Sequence, residues 1–188
     1  VTGLLFALPL LDGDSEIRML SKLESKPYVD LTIACLRHFG IAVQETEQGY
    51  AVAGGQQYHA CDLTVEGDYS QAAFFCVANA LGSDITLTNL NPESVQGDKK
   101  IVEIVREMCY NREQGLPAGF TVDAADIPDL VPILAVLATF GTAPSSITGA
   151  HRLAIKESDR LASTADLLNR LGGKVTATPD GLEIEPVE

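Results

Sequence analysis

Apolar positions recur along this chain in a repeating order. Val29, Ile33, Leu36 and Phe39 stand at helical spacing and are followed by Gly40, and Leu161, Ala165, Leu168 and Leu171 repeat that spacing before Gly172. Between them, Val102, Val105 and Met108 fill the last three places of such a stripe before Cys109. Each pattern predicts an amphipathic helix, and the two glycines suit a helix C-terminus. Ahead of each stripe lies a denser apolar run: Leu4 to Leu11, Ala72 to Leu81 and Leu130 to Phe140. These predict helices that are apolar nearly all round and therefore packed in an interior. Each run passes through a turn (Asp12-Gly13-Asp14, Gly82-Ser83, Gly141-Thr142) into a predicted strand: Glu16–Leu20, Asp84–Leu90 and Ser146–Ala150.

Paired strands are predicted after the first and last stripes, Ile41–Thr46 with Tyr50–Ala53 and Lys174–Thr178 with Leu182–Glu185. Pro179-Asp180-Gly181 marks the turn between the latter two. Short strands at Asp62–Val65 and Phe120–Val122 precede two of the apolar helices. The unit is β-α-β-α-β-β, repeated at intervals of roughly 65 residues and present about two and a half times. The first copy lacks its opening strand. The middle copy is short after Met108, where Tyr110 to Ala118 is too brief and polar for a hairpin. One loop position recurs between the second strand and second helix of each unit: Glu24 to Tyr28, Val95 to Lys99 and Ile155 to Arg160. Each supplies hydroxyls, amides or cations where a helix begins, which suits an anion site. The same residues also suit plain helix starts, with Ser25, Asp98 and Ser158 as N-caps and Pro27 at the first helical position.

Composition changes this picture little. The 188 residues are 46% hydrophobic and 21% charged, which excludes disorder, and the net charge of −13 argues against a binder of the phosphate backbone. A small anionic substrate is still compatible, because a few local cations can outweigh a distant acidic surface. No apolar run approaches the roughly 18 residues of a membrane span. Cys35, Cys61, Cys76 and Cys109 form no CxxC pair and read as reduced core residues of a cytoplasmic protein. His38, His59 and His151 have no metal-ligand spacing. With Val1 already entering an apolar helix, the chain is expected to be an internal fragment.

Six ordered motifs carry a resemblance. They are Thr2-Gly3-Leu4-Leu5 with Ala7-Leu8-Pro9-Leu10, Ser25-Lys26-Pro27-Tyr28, Glu66-Gly67-Asp68-Tyr69-Ser70, Gln96-Gly97-Asp98, Asp126-Ile127-Pro128-Asp129-Leu130-Val131-Pro132, and Lys156-Glu157-Ser158-Asp159-Arg160. Together they resemble the 5-enolpyruvylshikimate-3-phosphate synthases (3-phosphoshikimate 1-carboxyvinyltransferases) over essentially the whole chain. The resemblance implies an α/β fold of two lobes, each with three β-α-β-α-β-β units. Residues 1–65 would be part of the last unit of one lobe, and residues 66–188 two units of the other, the middle one shortened around 109–119. The implied reaction belongs to the shikimate pathway. It transfers the carboxyvinyl group of phosphoenolpyruvate to the 5-hydroxyl of shikimate 3-phosphate and releases phosphate through a tetrahedral intermediate. The family needs no metal or organic cofactor, and a monomeric parent is implied, with no nucleic-acid or membrane partner.

By the same resemblance, Asp129 holds the attacking hydroxyl and takes its proton. Lys156 contacts both substrates, and Glu157 serves proton delivery to the methylene. Arg160 clamps phosphoenolpyruvate, Ser25 binds the shikimate phosphate, Tyr28 lies against the shikimate, and Arg152 is a lesser substrate contact. The residue types suit the task, since two anions must be brought together and two protons moved. The departures are Ala154, where the family often has arginine, and a set of the family's other substrate contacts that fall outside this chain. The chain alone is therefore expected not to turn over. Read without the family, Asp129 also suits an N-cap, Glu157 and Arg160 suit a solvated helix pair, and Tyr28 suits packing. Alternatives are a UDP-N-acetylglucosamine enolpyruvyl transferase, which Ser25 to Tyr28 and Ile127 to Asp129 fit less well, an RNA 3′-phosphate cyclase-like protein, and a non-catalytic module.

Overall fold

Helices and short strands alternate along the chain, described for residues 1–187 by a computed structural model. One unit spans Val1–Glu66, and a second begins at Gly67. Each has its own hydrophobic core.

In the first unit, α1 (Thr2–Ala7) leads through a 3-10 turn at Leu8–Leu10 to β1 (Ser15–Arg18), α2 (Lys26–His38), β2 (Gln44–Thr46) and β3 (Gly49–Val52). The sheet is antiparallel in the order β1-β3-β2. Val29, Ile33 and Leu36 of the predicted stripe are buried with Leu5, Ile17, Ile41, Tyr50 and Val52.

The second unit holds α3 (Tyr69–Ala80), α4 (Ile101–Glu113), β4 (Thr121–Asp123), α5 (Val131–Thr139), β5 (Ser145–Thr148), α6 (Arg160–Arg170), β6 (Lys174–Thr178) and β7 (Gly181–Glu185). Its sheet runs β4-β5-β7-β6, with β4 and β5 parallel and the other pairs antiparallel. The sheets are therefore related: β1, β3 and β2 correspond to β5, β7 and β6. A side-chain-free residue recurs at the same place in both. A Cβ on Gly49 would run into the carbonyl oxygen of Ile17, and one on Gly181 into that of Ile147. The repeat read from apolar spacing thus extends to the close approach of paired backbones.

Several expectations need correction. Of the three apolar runs, only α5 is buried almost all round, with Val131, Ile133, Leu134, Ala135, Leu137 and Ala138 inside. It packs between α3 and α6 and against β5 and β7, and each large side chain so buried contributes about 1.5–3 kcal/mol. By contrast α3 leaves Phe74 and Phe75 about half exposed (49% and 47%), and α1 buries only Leu5 while Leu4 and Phe6 face out. Such a helix is covered only where a neighbour lies, and α1 packs chiefly on α2. The run to Leu11 is not one α-helix either, because it tightens into the 3-10 turn at Leu8, with Pro9 in its first positions. In α4 the buried stripe is Ile101, Ile104 and Met108, one row round from the expected Val102 and Val105, which are half-buried. Leu171 lies past the end of α6 and is 77% exposed.

Residues 62–65 and 84–90 are not strands. In the last unit β5 is held on both sides, by β4 and by β7 of the returning hairpin. The middle unit has no such hairpin, since α4 runs on to Glu113 and irregular backbone follows. Its predicted strands lack that third partner, although Gly67 N–H still donates to the Asn89 carbonyl at 2.7 Å. The cysteines are free as expected, but Cys61 is exposed and the other three only half-buried. Among the described residues no helix is long and apolar enough to cross a membrane.

Candidate functional site

The candidate residues fall in both units. In the first, Ser25 and Tyr28 open α2. Ser25 occupies the N-cap position in the left-handed region (φ 55°, ψ 38°), and its side chain does not cap the helix. A non-glycine residue there carries a local conformational cost of about 1–2 kcal/mol. Pro27 stands in the first turn as expected, and Tyr28 N–H donates to the Ser25 carbonyl at 3.1 Å. Lys26 is committed to Asp30 at 2.7 Å and Glu45 at 3.4 Å, which raise its pKa, Asp30 foremost.

In the second unit, three of the expected residues meet. Asp129 lies in the 3-10 turn Pro128–Leu130 that leads into α5, and Arg160 is the first residue of α6. Arg160 Nη1 donates to Asp129 Oδ1 at 3.0 Å, and its Nε donates to Glu157 Oε1 at 2.9 Å, with Nη2 2.8 Å from the same oxygen. One guanidinium therefore spans two carboxylates that come from segments far apart in sequence. Asp129 is not at the N-cap position of α5, which Leu130 takes; it lies within the 3-10 turn before it. The helix-pair reading of Glu157 fails, because Glu157 precedes α6 in a bend. Its carboxyl is held below the usual range, first by a bond from its own backbone N–H and then by the Arg160 guanidinium.

Lys156 precedes Glu157 and is exposed, with no hydrogen bond or ion pair among the described residues. Arg152 lies in the 3-10 turn His151–Ile155, also exposed. In that turn Leu153 is fully buried while Ile155 is 82% exposed, so the segment is pinned at its middle and open towards Lys156. The cap of α6 is Asp159, whose carboxylate accepts from Ala162 N–H at 2.9 Å, and not Ser158. In the middle loop Asp98 is not a cap but a buried residue (4% exposed) of the 3-10 turn Gly97–Lys100. Lys99 there donates to the Pro92 carbonyl at 2.9 Å, and Gln96 ties Gly67 and Tyr69 together. That loop is built as a structural brace. Of the three loops in register, the Ile155–Arg160 loop presents the exposed cation.

The sequence reading missed Asp180, taken only as part of a turn signal. It lies beside Gly149, at the root of the segment that carries Arg152, Lys156 and Glu157. Only the pairing of β5 with β7 brings the two together.

The comparisons with known proteins agree with one another. The family model described as EPSP synthase (3-phosphoshikimate 1-carboxyvinyltransferase) matches residues 1–188. The 3-phosphoshikimate 1-carboxyvinyltransferase of Clostridium beijerinckii is 41% identical over 100% of this chain and 46% of its own length. That of Clostridium novyi is 43% identical over 98% and 45%. Among solved structures, an EPSP synthase from Acinetobacter baumannii superposes with a TM-score of 0.76 at 24% identity, covering 98% of this chain and 45% of that one. The chain thus spans about half the length of the curated relatives it matches.

Proposed function

This chain belongs to the EPSP synthase family, and from that premise we propose that its residues serve carboxyvinyl transfer from phosphoenolpyruvate to the 5-hydroxyl of shikimate 3-phosphate, within a protein that supplies the rest of the family's length. The observation that carries the reading is the shared guanidinium: Arg160 engages Asp129 and Glu157 at once. On this reading Ser25 binds the acceptor's phosphate, Tyr28 packs on its ring, and Arg152 and Lys156 offset the charge of the two anions.

The chemistry follows from that arrangement. An incoming phosphoenolpyruvate anion competes with both carboxylates for Arg160, whose planar fork suits bidentate contact with a carboxylate or a phosphate. Each carboxylate then changes character. Asp129, turned from Arg160 towards the acceptor hydroxyl, accepts its proton as the oxygen bonds to the phosphate-bearing vinyl carbon. Glu157 loses the Arg160 guanidinium, one of the influences that keep it ionised, so it can carry a proton to the methylene. Elimination then returns a proton from the new methyl group as the bond to phosphate breaks. Lys156, with no competing carboxylate bond in this structure, faces the developing charge.

The test is a chimera in which this chain replaces the matching residues of the Clostridium beijerinckii relative. Glu157→Gln keeps shape and hydrogen-bonding capacity but cannot donate a carboxylic proton. It is expected to lower kcat by about 10²–10⁴ with little change in KM. Full kcat in that variant would contradict the assignment.

A further inference from the structure

The segment from Gly149 to Arg160 carries Arg152, Lys156 and Glu157, and its two ends are fixed differently. The downstream end is held by the Asp159 cap and by the bond from Arg160 to Asp129. The upstream end is held by a residue outside the segment. Asp180 sits in the two-residue turn between β6 and β7, where Thr178 pairs with Gly181. Its Oδ2 accepts from Gly149 N–H at 2.9 Å, its backbone carbonyl accepts from Ala150 N–H at 2.7 Å, and its Oδ1 lies 3.5 Å from His151 Nδ1. Three consecutive residues are thereby anchored on one aspartate. Only a glycine suits position 149: it is left-handed (φ 68°), and a Cβ there would collide with Asp123 Oδ1. Ala124 N–H, next along from Asp123, donates to the Thr148 carbonyl at 2.8 Å. The hairpin tip, the strand that leads to Asp129 and the strand that leads to Lys156 converge at this glycine.

We propose that Asp180 is a positioning residue for the Arg152–Glu157 segment: its carboxylate, by accepting the Gly149 N–H, sets where the 3-10 turn starts and hence where Arg152 and Lys156 are presented. This rests on the function proposed above for what those cations bind, but not for the positioning itself. Between Leu153 and Asp159 the segment is exposed, so its course is set by its two ends and by the buried Leu153 between them. An Asn at 180 retains an acceptor for Gly149 N–H, whereas an Ala leaves only the backbone carbonyl bond to Ala150.

The experiment compares the full chain with Asp180→Ala and Asp180→Asn. Amide hydrogen exchange is read at residues 149–157, phosphoenolpyruvate is titrated by NMR, and urea unfolding reports overall stability. Asp180→Ala is expected to speed exchange across residues 149–157 and to weaken phosphoenolpyruvate binding about tenfold, the worth of one charge-assisted hydrogen bond. Asp180→Asn is expected to restore both, and the rescue separates positioning from a general loss of stability. Unchanged exchange and affinity in Asp180→Ala, or no rescue by Asn, would overturn the proposal. If exchange responds and is rescued while neither these proteins nor the chimera described above binds phosphoenolpyruvate, the positioning stands and the proposed function falls.

Discussion

At the scale of single residues, the central group is Arg160, whose one guanidinium bridges two carboxylates. Glu157 reports on that state. Its carboxyl is held low by its own backbone N–H first and by Arg160 second, so NMR titration should find it below the usual carboxylate range. In Arg160→Ala it should rise but stop short of the ordinary value, because the backbone bond survives. A Glu157 titrating at or above that range in the native chain would contradict the arrangement. The sign of the linkage follows: a depressed folded value contributes stability above the unfolded pKa of about 4.3, lost as pH falls through the folded value. Glu157 is exposed, so this contribution is small. Only part of this was legible beforehand. The Lys156–Arg160 motif and Asp129 were each legible through the family resemblance, but their meeting across thirty intervening residues has no local signal. Asp129 followed by an apolar helix looks like a cap because capping is the common use of that residue at that place.

Elements were legible where a local period and a partner coincide. The hairpins β2–β3 and β6–β7 and the helices α2 and α6 lie close to where apolar spacing puts them, because each pairs or packs with its sequence neighbour. Residues 84–90 have strand-like composition, yet form no strand without a returning hairpin beside them. Strand propensity describes a surface that fits a sheet, and the sheet must be present. The α4 stripe was misread because two adjacent rows of that helix are apolar, and tertiary packing chose Ile101 and Ile104 over Val102 and Val105. The glycine that opens β3 and its counterpart that opens β7 are a sharper test of the repeat. Gly181→Ala must displace the backbone at Ile147 and is expected to cost about 1–3 kcal/mol in urea unfolding. Gly13→Ala, facing open space, should stay within about 0.5 kcal/mol of the native chain. Equal effects from the two substitutions would contradict the close approach of β7 to its neighbour β5 at Ile147.

For the whole molecule, the family was legible from six motifs because their order and spacing along the chain are together far more specific than any one of them. The motif at 96–98 illustrates the limit of that reading: it identifies the family, yet here Gln96 braces Gly67 and Tyr69 and Asp98 is buried. Motif membership alone does not assign a ligand. Nor does burial, since the residues proposed for chemistry are exposed or only half-buried. The relatives named for the activity are about twice as long as this chain, so turnover is expected only when the remaining length is supplied. The most direct measurement is phosphate release by the chimera described above, with phosphoenolpyruvate and one acceptor at a time. The account predicts release that depends on shikimate 3-phosphate, and none from the 188-residue chain by itself. Release with phosphoenolpyruvate alone, release supported by UDP-N-acetylglucosamine instead, or a correctly folded chimera that does not turn over would contradict it.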